Sequence, residues 1–384
     1  MRVLNLIRFL LLLSAVFIIH FTPPNPSFEN QVYLNGEGGY ACYRIPALLQ
    51  TPQGTLMAFA EGRKTGCIDF GNVDLLLKTS KDNGLHWSET KVIAEFDSLQ
   101  AGNPAPVFDR FDPNYPEGRI FLFYNTGNAS ENEVRQGKGS RQVYFITSTD
   151  EGKNWSQPLE ITQQVHFNKS TGDATIDWRT HATTPGHAFQ FKYPPYQGRI
   201  YIPANHSQGP PQEGFNEYRA YGFYTDDHGQ TFRVSPDLKT PSSNEAIGVE
   251  LPSGQLMLNV REQNGATKTR LIAMSDTGGE NWDAEYFDDA LISPVCQSSL
   301  LVFEGLKDTL LLYSGPNSKT QREKMTIKAS QDEGKTWAYQ KEIYAGTAAY
   351  SDLVQIDLNS IGLLYEKEGT GLFFKNLPLP ELMK

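Results

Sequence analysis

Ser80-Lys81-Asp82-Asn83-Gly84-Leu85-His86-Trp87 spells Ser-x-Asp-x-Gly-x-x-Trp, and the phrase returns from Ser148 to Trp155 and from Ser330 to Trp337. Two looser copies exist. Thr225-Asp226-Asp227-His228-Gly229-Gln230-Thr231-Phe232 exchanges both ends conservatively, and Ser275-Asp276-Thr277-Gly278-Gly279-Glu280-Asn281-Trp282 has Thr277 where the Asp belongs. On average residue usage one such match arises by accident on the order of 0.01 times in a chain of this length. Five copies therefore mean repeated structure. The phrase has the chemistry of a hairpin turn: the carboxylate can accept from backbone N–H groups two residues on, the Gly supplies a positive φ, and the aromatic ring packs back across the strands.

Short β-rich runs lead into the boxes, among them Asp74 to Lys78, Gln142 to Ile146 and Lys324 to Lys328, and no long amphipathic helical stretch competes with them. The boxes start at 80, 148, 225, 275 and 330, spacings of 50 to 77 residues, the scale of one four-stranded unit with its loops. An all-β chain built by radial repetition, a β-propeller, is the economical expectation. The acidic turns also resemble calcium loops, but none carries an EF-hand's ligand series and closing Glu, so no metal is expected there.

The remaining composition agrees with a folded, turn-rich chain. Its 384 residues are 39% hydrophobic and 12% aromatic, with 33 Gly and 23 Pro, which suits neither disorder nor long charged helices. The formal charge is −10 and no basic run exists, so the field that holds a nucleic-acid backbone is missing. Mean hydropathy is −0.45 with a single long apolar run, which excludes a multi-span membrane protein. That run, Phe9 to Ile19, follows Arg2 and Arg8 and precedes Pro23-Pro24. Residues 1–24 thus read as a secretory signal, with an uncleaved interfacial anchor as the alternative, and residues 25–384 as one domain. The expected location is secreted, periplasmic or cell-surface. Three cysteines, Cys42, Cys67 and Cys296, lack zinc spacing, and a Cys42–Cys67 bridge and free buried thiols both remain open.

With Tyr43-Arg44-Ile45-Pro46 upstream of the first box, the sequence resembles the Asp-box exo-α-sialidases (neuraminidases) of the bacterial type, glycoside hydrolase family 33, from about Tyr40 to Glu366. The resemblance implies a six-bladed propeller with its active site at the centre of one face, no cofactor, and sialylated glycoproteins, glycolipids or oligosaccharides as substrates. It also implies roles. Arg44, Arg261 and Arg322 match the family's three arginines, whose planar forks suit the carboxylate on the anomeric carbon of sialic acid. Tyr350 falls where the family places its nucleophile, and Glu245, 16 residues before Arg261, falls where it places the base. A neutral phenol avoids the repulsion that a carboxylate nucleophile would meet at a carbon already bearing one.

Asp69, in the Gly-bounded loop Thr65 to Gly71, resembles the acid that protonates the departing oxygen and then activates water. Asp74 is its local competitor but heads the strand into the first box, which reads as structural. Arg63 resembles the ligand of the sugar's C4 hydroxyl, and Asn103 is placed on the same edge. Trp178 is either an aromatic platform at the pocket border or ordinary packing between repeats. His181 and His187 read as loop structure without metal spacing. Rivals within the class are a hydrolase for a related 2-keto-3-deoxy sugar acid and a trans-sialidase. Outside it stands a non-catalytic glycan-binding propeller, since fold alone does not fix function.

Overall fold

The computed structural model describes residues 26–167, 176–306 and 308–384, so the expected signal at residues 1–24 lies outside the described residues. The protein is all-β, and among the described residues its strands form four curled sheets of seven, five, four and eight, paired antiparallel apart from one parallel bridge between Val73 and Gln100. Strand follows strand in sequence order. Cys42–Gln50, Leu56–Arg63 and Val73–Ser80 form one such run, and Ser243–Glu250, Leu256–Glu262, Thr269–Ser275 and Ala284–Ile292 form another. The long strand Tyr339–Gln355 serves two ladders, pairing Glu323–Ser330 with its first half and Ser360–Lys367 with its second. The strand Phe28–Leu34 pairs with Gly371–Pro378, so the start of the described chain closes against its end.

Each box closes a hairpin, with one difference from the expected bonding. The carboxylate reaches four residues on, not two: Asp82 Oδ1 accepts from the His86 N–H at 2.9 Å and Asp150 Oδ1 from the Asn154 N–H at 2.8 Å. In the divergent copy the Thr277 hydroxyl takes the same role, accepting from the Asn281 N–H at 2.8 Å. The residue before the box Gly shares its left-handed conformation, as Asn83 (φ 59°) and Gly84 (φ 88°) show. Two successive positive φ values make the tight turn that suits twisted strands.

The boxes also pack outward. The ring of Trp155 meets Phe59, 6.3 Å between centroids, in the strand run before its own. A Cβ on Gly152 would stand 2.5 Å from Met57 of that run, and one on Gly229 would stand 2.8 Å from Phe121 of the run before it. Gly84, in the first box, is tucked instead against Phe374 near the end of the chain, beside the Trp87–Phe374 edge contact at 5.2 Å. Each box is thus a wedge between neighbouring sets of strands, and the first wedge joins the two ends of the chain.

Strand register separates two ends of the sheets. Leu56 stands opposite Ser80 of the first box, whereas Arg63 stands opposite Val73 at the far end. Similarly, Leu256 faces Ser275 of a box, while Glu262 faces Ser243. The sequence-identified polar residues cluster at the end away from the boxes. A cavity of about 540 Å³ opens at the box end, lined by Leu48, Val107, Val249, Leu301 and Leu353 among others, and holds none of those residues.

Gly84→Ala adds a methyl group against the Phe374 ring at a φ that L-residues resist, so we expect a loss of roughly 2 kcal/mol or more. A urea midpoint unchanged from wild type would remove the wedge from the account of stability.

Candidate active site

Most of the strands that lead their runs, though not Ser299–Glu304, share a deformation at the end away from the boxes. Register shifts fall between Arg44 and Ala47, Gly102 and Ala105, Trp178 and His181, Ser243 and Ala246, and Ala348 and Ser351. Ile45 and Asn103 within them have φ values of 57° and 55°. Such bulges bend a strand and re-aim its side chains. Arg44, Asn103, Glu245 and Tyr350 all stand at these bulges.

Tyr350 is the centre of the arrangement. Its phenol donates to Glu245 Oε1, and Arg261 Nη1 donates both to Glu245 Oε2 at 2.6 Å and to the Tyr350 oxygen at 3.1 Å. The guanidiniums of Arg44 and Arg322 lie 5.0 Å and 5.7 Å from the centroid of the same ring. Burial and the Glu245 carboxylate push the phenol's pKa well up, and the three arginines oppose them. The hydroxyl is therefore neutral, with its proton directed at Glu245.

The arginines differ in what they hold. Arg44 bridges Asp69 and Glu366, at 3.2 Å each. Arg322 gives one N–H to the Val295 carbonyl at 3.0 Å and has no carboxylate within ion-pair distance among the described residues. Arg261 Nε is buried without a hydrogen-bond partner among the described residues. Half-buried guanidinium donors left open around one point are what an incoming carboxylate requires.

Asp69 lies in the loop between Leu56–Arg63 and Val73–Ser80, with its side chain 78% exposed. Arg63 Nη1 reaches its Oδ1 at 2.8 Å. Crowding by the protein would raise the Asp69 carboxyl, but Arg63 and Arg44 outweigh it and hold it below the usual carboxylate range. Asp74 is occupied elsewhere, accepting from the Tyr40 hydroxyl at 2.7 Å and pairing with Lys64 at 2.8 Å. Asn103 joins the Arg63 edge indirectly: its backbone N–H donates to Glu61 Oε1 at 2.9 Å, and Glu61 Oε2 accepts from Arg63 Nε at 3.0 Å and Nη2 at 2.7 Å.

Trp178 is half-buried and stacks on His206 with centroids 3.5 Å apart, with Phe167 at 4.9 Å. These contacts belong to packing between strands and give the platform role no support. His181 sits in the strand Trp178–Thr183, not in a loop, and His187 binds Asp352 Oδ1 at 2.8 Å. Cys42 and Cys67 form a disulfide, and Cys296 is free and buried beside Tyr350.

Two residues of the site escaped the sequence reading. Glu366 accepts from the Ile45 N–H at 2.9 Å, from Arg44 and from the Tyr350 N–H at 3.3 Å, fixing the strands that carry both. Glu61 orients Arg63. A usable signal for Glu61 was present: in Leu56–Arg63 two opposite charges stand two residues apart in an otherwise apolar run, hence on one face.

The chain matches the BNR repeat-like domain family over residues 46–362. It is 31% identical over 375 residues to a sialidase of Micromonospora viridifaciens, covering 91% of this chain and 54% of that protein. A sialidase of Bacteroides fragilis is 28% identical over 372 residues, covering 91% of this chain and 64% of that one. The chain thus spans somewhat over half the length of these relatives. A solved Hadza microbial sialidase superposes with a TM-score of 0.77 at 24% identity over 90% of this chain and 68% of the other, a likeness of fold. The chain belongs to the BNR repeat-like domain family, and its similarity to bacterial sialidases runs over 91% of its length.

Behind Trp178 the buried imidazoles of His166 and His181 make a stability expectation. Burial lowers His166 from 6.5 to about 3 and His181 well below its usual value. The unfolded chain takes up these protons first as pH falls below about 6.5, so stability is full above that value and declines by ~1.4 kcal/mol per pH unit per histidine until the folded pKa is reached. Melting temperatures from neutral pH to about pH 5 should fall more steeply for wild type than for His166→Gln. Parallel curves would mean that His166 titrates normally.

Proposed function

We propose that the chain is a retaining exo-α-sialidase that removes terminal α-linked sialic acids from glycoproteins, glycolipids or oligosaccharides. The observation that carries this reading is the Tyr350 phenol, hydrogen-bonded to Glu245 and ringed by Arg44, Arg261 and Arg322. A carboxylate bound by the three guanidiniums sets its anomeric carbon beside the phenol oxygen. Tyr350 then attacks that carbon while its proton passes to Glu245, and Asp69 protonates the glycosidic oxygen as its bond to carbon breaks. In the second step Asp69 takes a proton from water, the water oxygen displaces the tyrosyl oxygen, and Glu245 returns the proton to it. Two displacements retain the anomeric configuration. Arg63 and Asn103 are assigned to the O4 edge of the sugar.

In the same reading the sheets form a six-bladed propeller. Successive four-stranded sets beginning at Cys42, Gln100, Trp178, Ser243, Ser299 and Ala348 support it, the last set being completed by Phe28–Leu34. Residues 1–24 are assigned to export to the cell surface, periplasm or medium. The Cys42–Cys67 disulfide supports an oxidising destination.

The direct test is turnover of fluorogenic N-acetylneuraminic acid, with its deaminated and octulosonic analogues alongside. Tyr350→Phe keeps the ring and loses the nucleophile, so it should fold, bind ligand and lose most turnover. Proton NMR should show the α-anomer released first by the wild-type enzyme. First release of the β-anomer, or a 3-fluorosialosyl label on Glu245 in place of Tyr350, would overturn the tyrosine mechanism.

Arg322→Ala should lower kcat/KM by roughly 2 to 4 kcal/mol equivalent, the range for removing one partner of a charge-assisted pair. Wild-type kinetics in that variant would take Arg322 out of the substrate site.

A further inference from the structure

Asp69 stands on a segment with few means of holding its shape. Residues 64–72 form neither strand nor helix, and one backbone hydrogen bond, from the Lys64 N–H to the Asn72 carbonyl at 3.0 Å, closes their base. No residue between Lys64 and Asn72 is buried, and Ile68 is 65% exposed. Hydrophobic packing therefore does not fix the loop, and segments with so few buried contacts open locally at little cost. Two ion pairs hold the carboxylate, to Arg63 and Arg44. Such pairs at an exposed carboxylate are weak, about 0 to 1 kcal/mol. In the proposed reaction both also lapse, because Asp69 becomes protonated and Arg44 turns to the substrate carboxylate.

One anchor persists through those changes. Cys42 opens the strand Cys42–Gln50, is paired across the sheet with Arg63, is 2% exposed, and stands two residues before Arg44. Its disulfide partner Cys67 stands two residues before Asp69, and the Cys67 carbonyl accepts from Arg63 Nη1 at 2.7 Å. The bond thus ties the acid's loop to the strand that presents the first arginine. Cys67 lies in the exposed part of the loop, within reach of a thiol.

We infer that the Cys42–Cys67 disulfide is a positioning element for Asp69, so that its redox state sets the ability to cleave substrates with poor leaving groups. The inference rests on the reading of Asp69 as the acid. A dithiol reductant supplies two electrons and two protons, opens the S–S bond to two thiols, and is itself oxidised to a disulfide. The loop then keeps its covalent path along the chain but loses its tie to the arginine strand. Proton delivery to the leaving oxygen suffers, whereas the tyrosine, its base and the carboxylate grip are untouched.

The test uses the purified full chain in four forms: oxidised wild type, wild type reduced with dithiothreitol, Cys42→Ser/Cys67→Ser, and Asp69→Ala as the reference for a lost acid. Each is assayed on a sialyl-galactoside and on an aryl sialoside whose phenolate departs unaided. Alkylation and peptide mass confirm that Cys42 and Cys67 opened. In the reduced and double-serine forms kcat on the sialyl-galactoside should fall by about tenfold or more, and by less than about threefold on the aryl sialoside, with KM little changed. Reoxidation of the reduced protein should restore the ratio, which covers a double variant that fails to fold. Equal losses on both substrates, or none on either, would overturn the positioning role and leave the disulfide a general staple. If oxidised wild type cleaves neither substrate, the sialidase reading falls first and this inference with it. An Asp69→Ala variant without leaving-group dependence would remove the acid on which it rests.

Discussion

The strands of this protein converge on one buried carboxylate. Asp352 is fully buried, and its oxygens accept from the Leu48 N–H at 2.8 Å, the Ser299 hydroxyl at 2.7 Å and His187 Nδ1 at 2.8 Å. Those partners come from three separate stretches of chain, and Asp352 itself follows Tyr350 by two residues. A charge taken out of water is tolerated only when its lone pairs are satisfied, so each partner must stay in register or the whole arrangement is penalised. Gln297 adds a second clasp, donating to the Pro185 and Ser351 carbonyls and accepting from the Ser351 N–H at 2.9 Å. Tyr350 is thus mounted next to two residues, Ser351 and Asp352, that several stretches of chain hold in place.

That rigidity explains how separate strands can aim side chains at a single point. The bulges at Arg44, Asn103, Glu245 and Tyr350 place extra residues where the strands end, and left-handed conformations at Ile45 and Asn103 cost energy that surrounding contacts must offset. Glu366 offsets part of it directly, accepting from the Ile45 N–H inside one bulge and the Tyr350 N–H inside another. Bulges and site lie at one end of the sheets, and the boxes lie at the other. The repeated element therefore sets the framework while the opposite ends remain free to carry unlike residues.

This division also governs what was legible in the sequence. The boxes were legible because their chemistry is local: a hydroxyl, a carboxylate and a glycine within five residues make the turn. Their role as wedges was not, since Gly84 meets Phe374 only after the chain closes. Glu245 and Arg261 lie in adjacent strands of one ladder, so their spacing was informative. Glu366 reaches Arg44 across 322 residues, and nothing near Glu366 marks it. Asp352 looks like any acid in its strand until Leu48, His187 and Ser299 are brought around it. Trp178 could not be divided between platform and packing by its neighbours in sequence, because His206, which it stacks on, lies in another strand. The cysteines remained open for the same reason.

The open mouth poses an electrostatic problem that its own arginines resolve. Arg63 and Arg44 hold Asp69 below the usual carboxylate range, the wrong direction for the acid of the proposed reaction. Arg44 is shared, however, between Asp69 and Glu366, and in the proposed reaction it also receives the carboxylate of the sugar. An anion arriving at Arg44 cancels much of the positive field at Asp69 and draws the guanidinium N–H groups toward itself. Both effects favour the protonated form of Asp69. In the proposed reaction Asp69 is therefore charged before substrate arrives, which keeps the loop paired, and is driven toward its protonated form as substrate binds. Arg322, which has no carboxylate partner among the described residues, can meet that anion without first breaking an ion pair, so in the proposed reaction the sugar carboxylate is captured before the Arg44–Asp69 contact gives way.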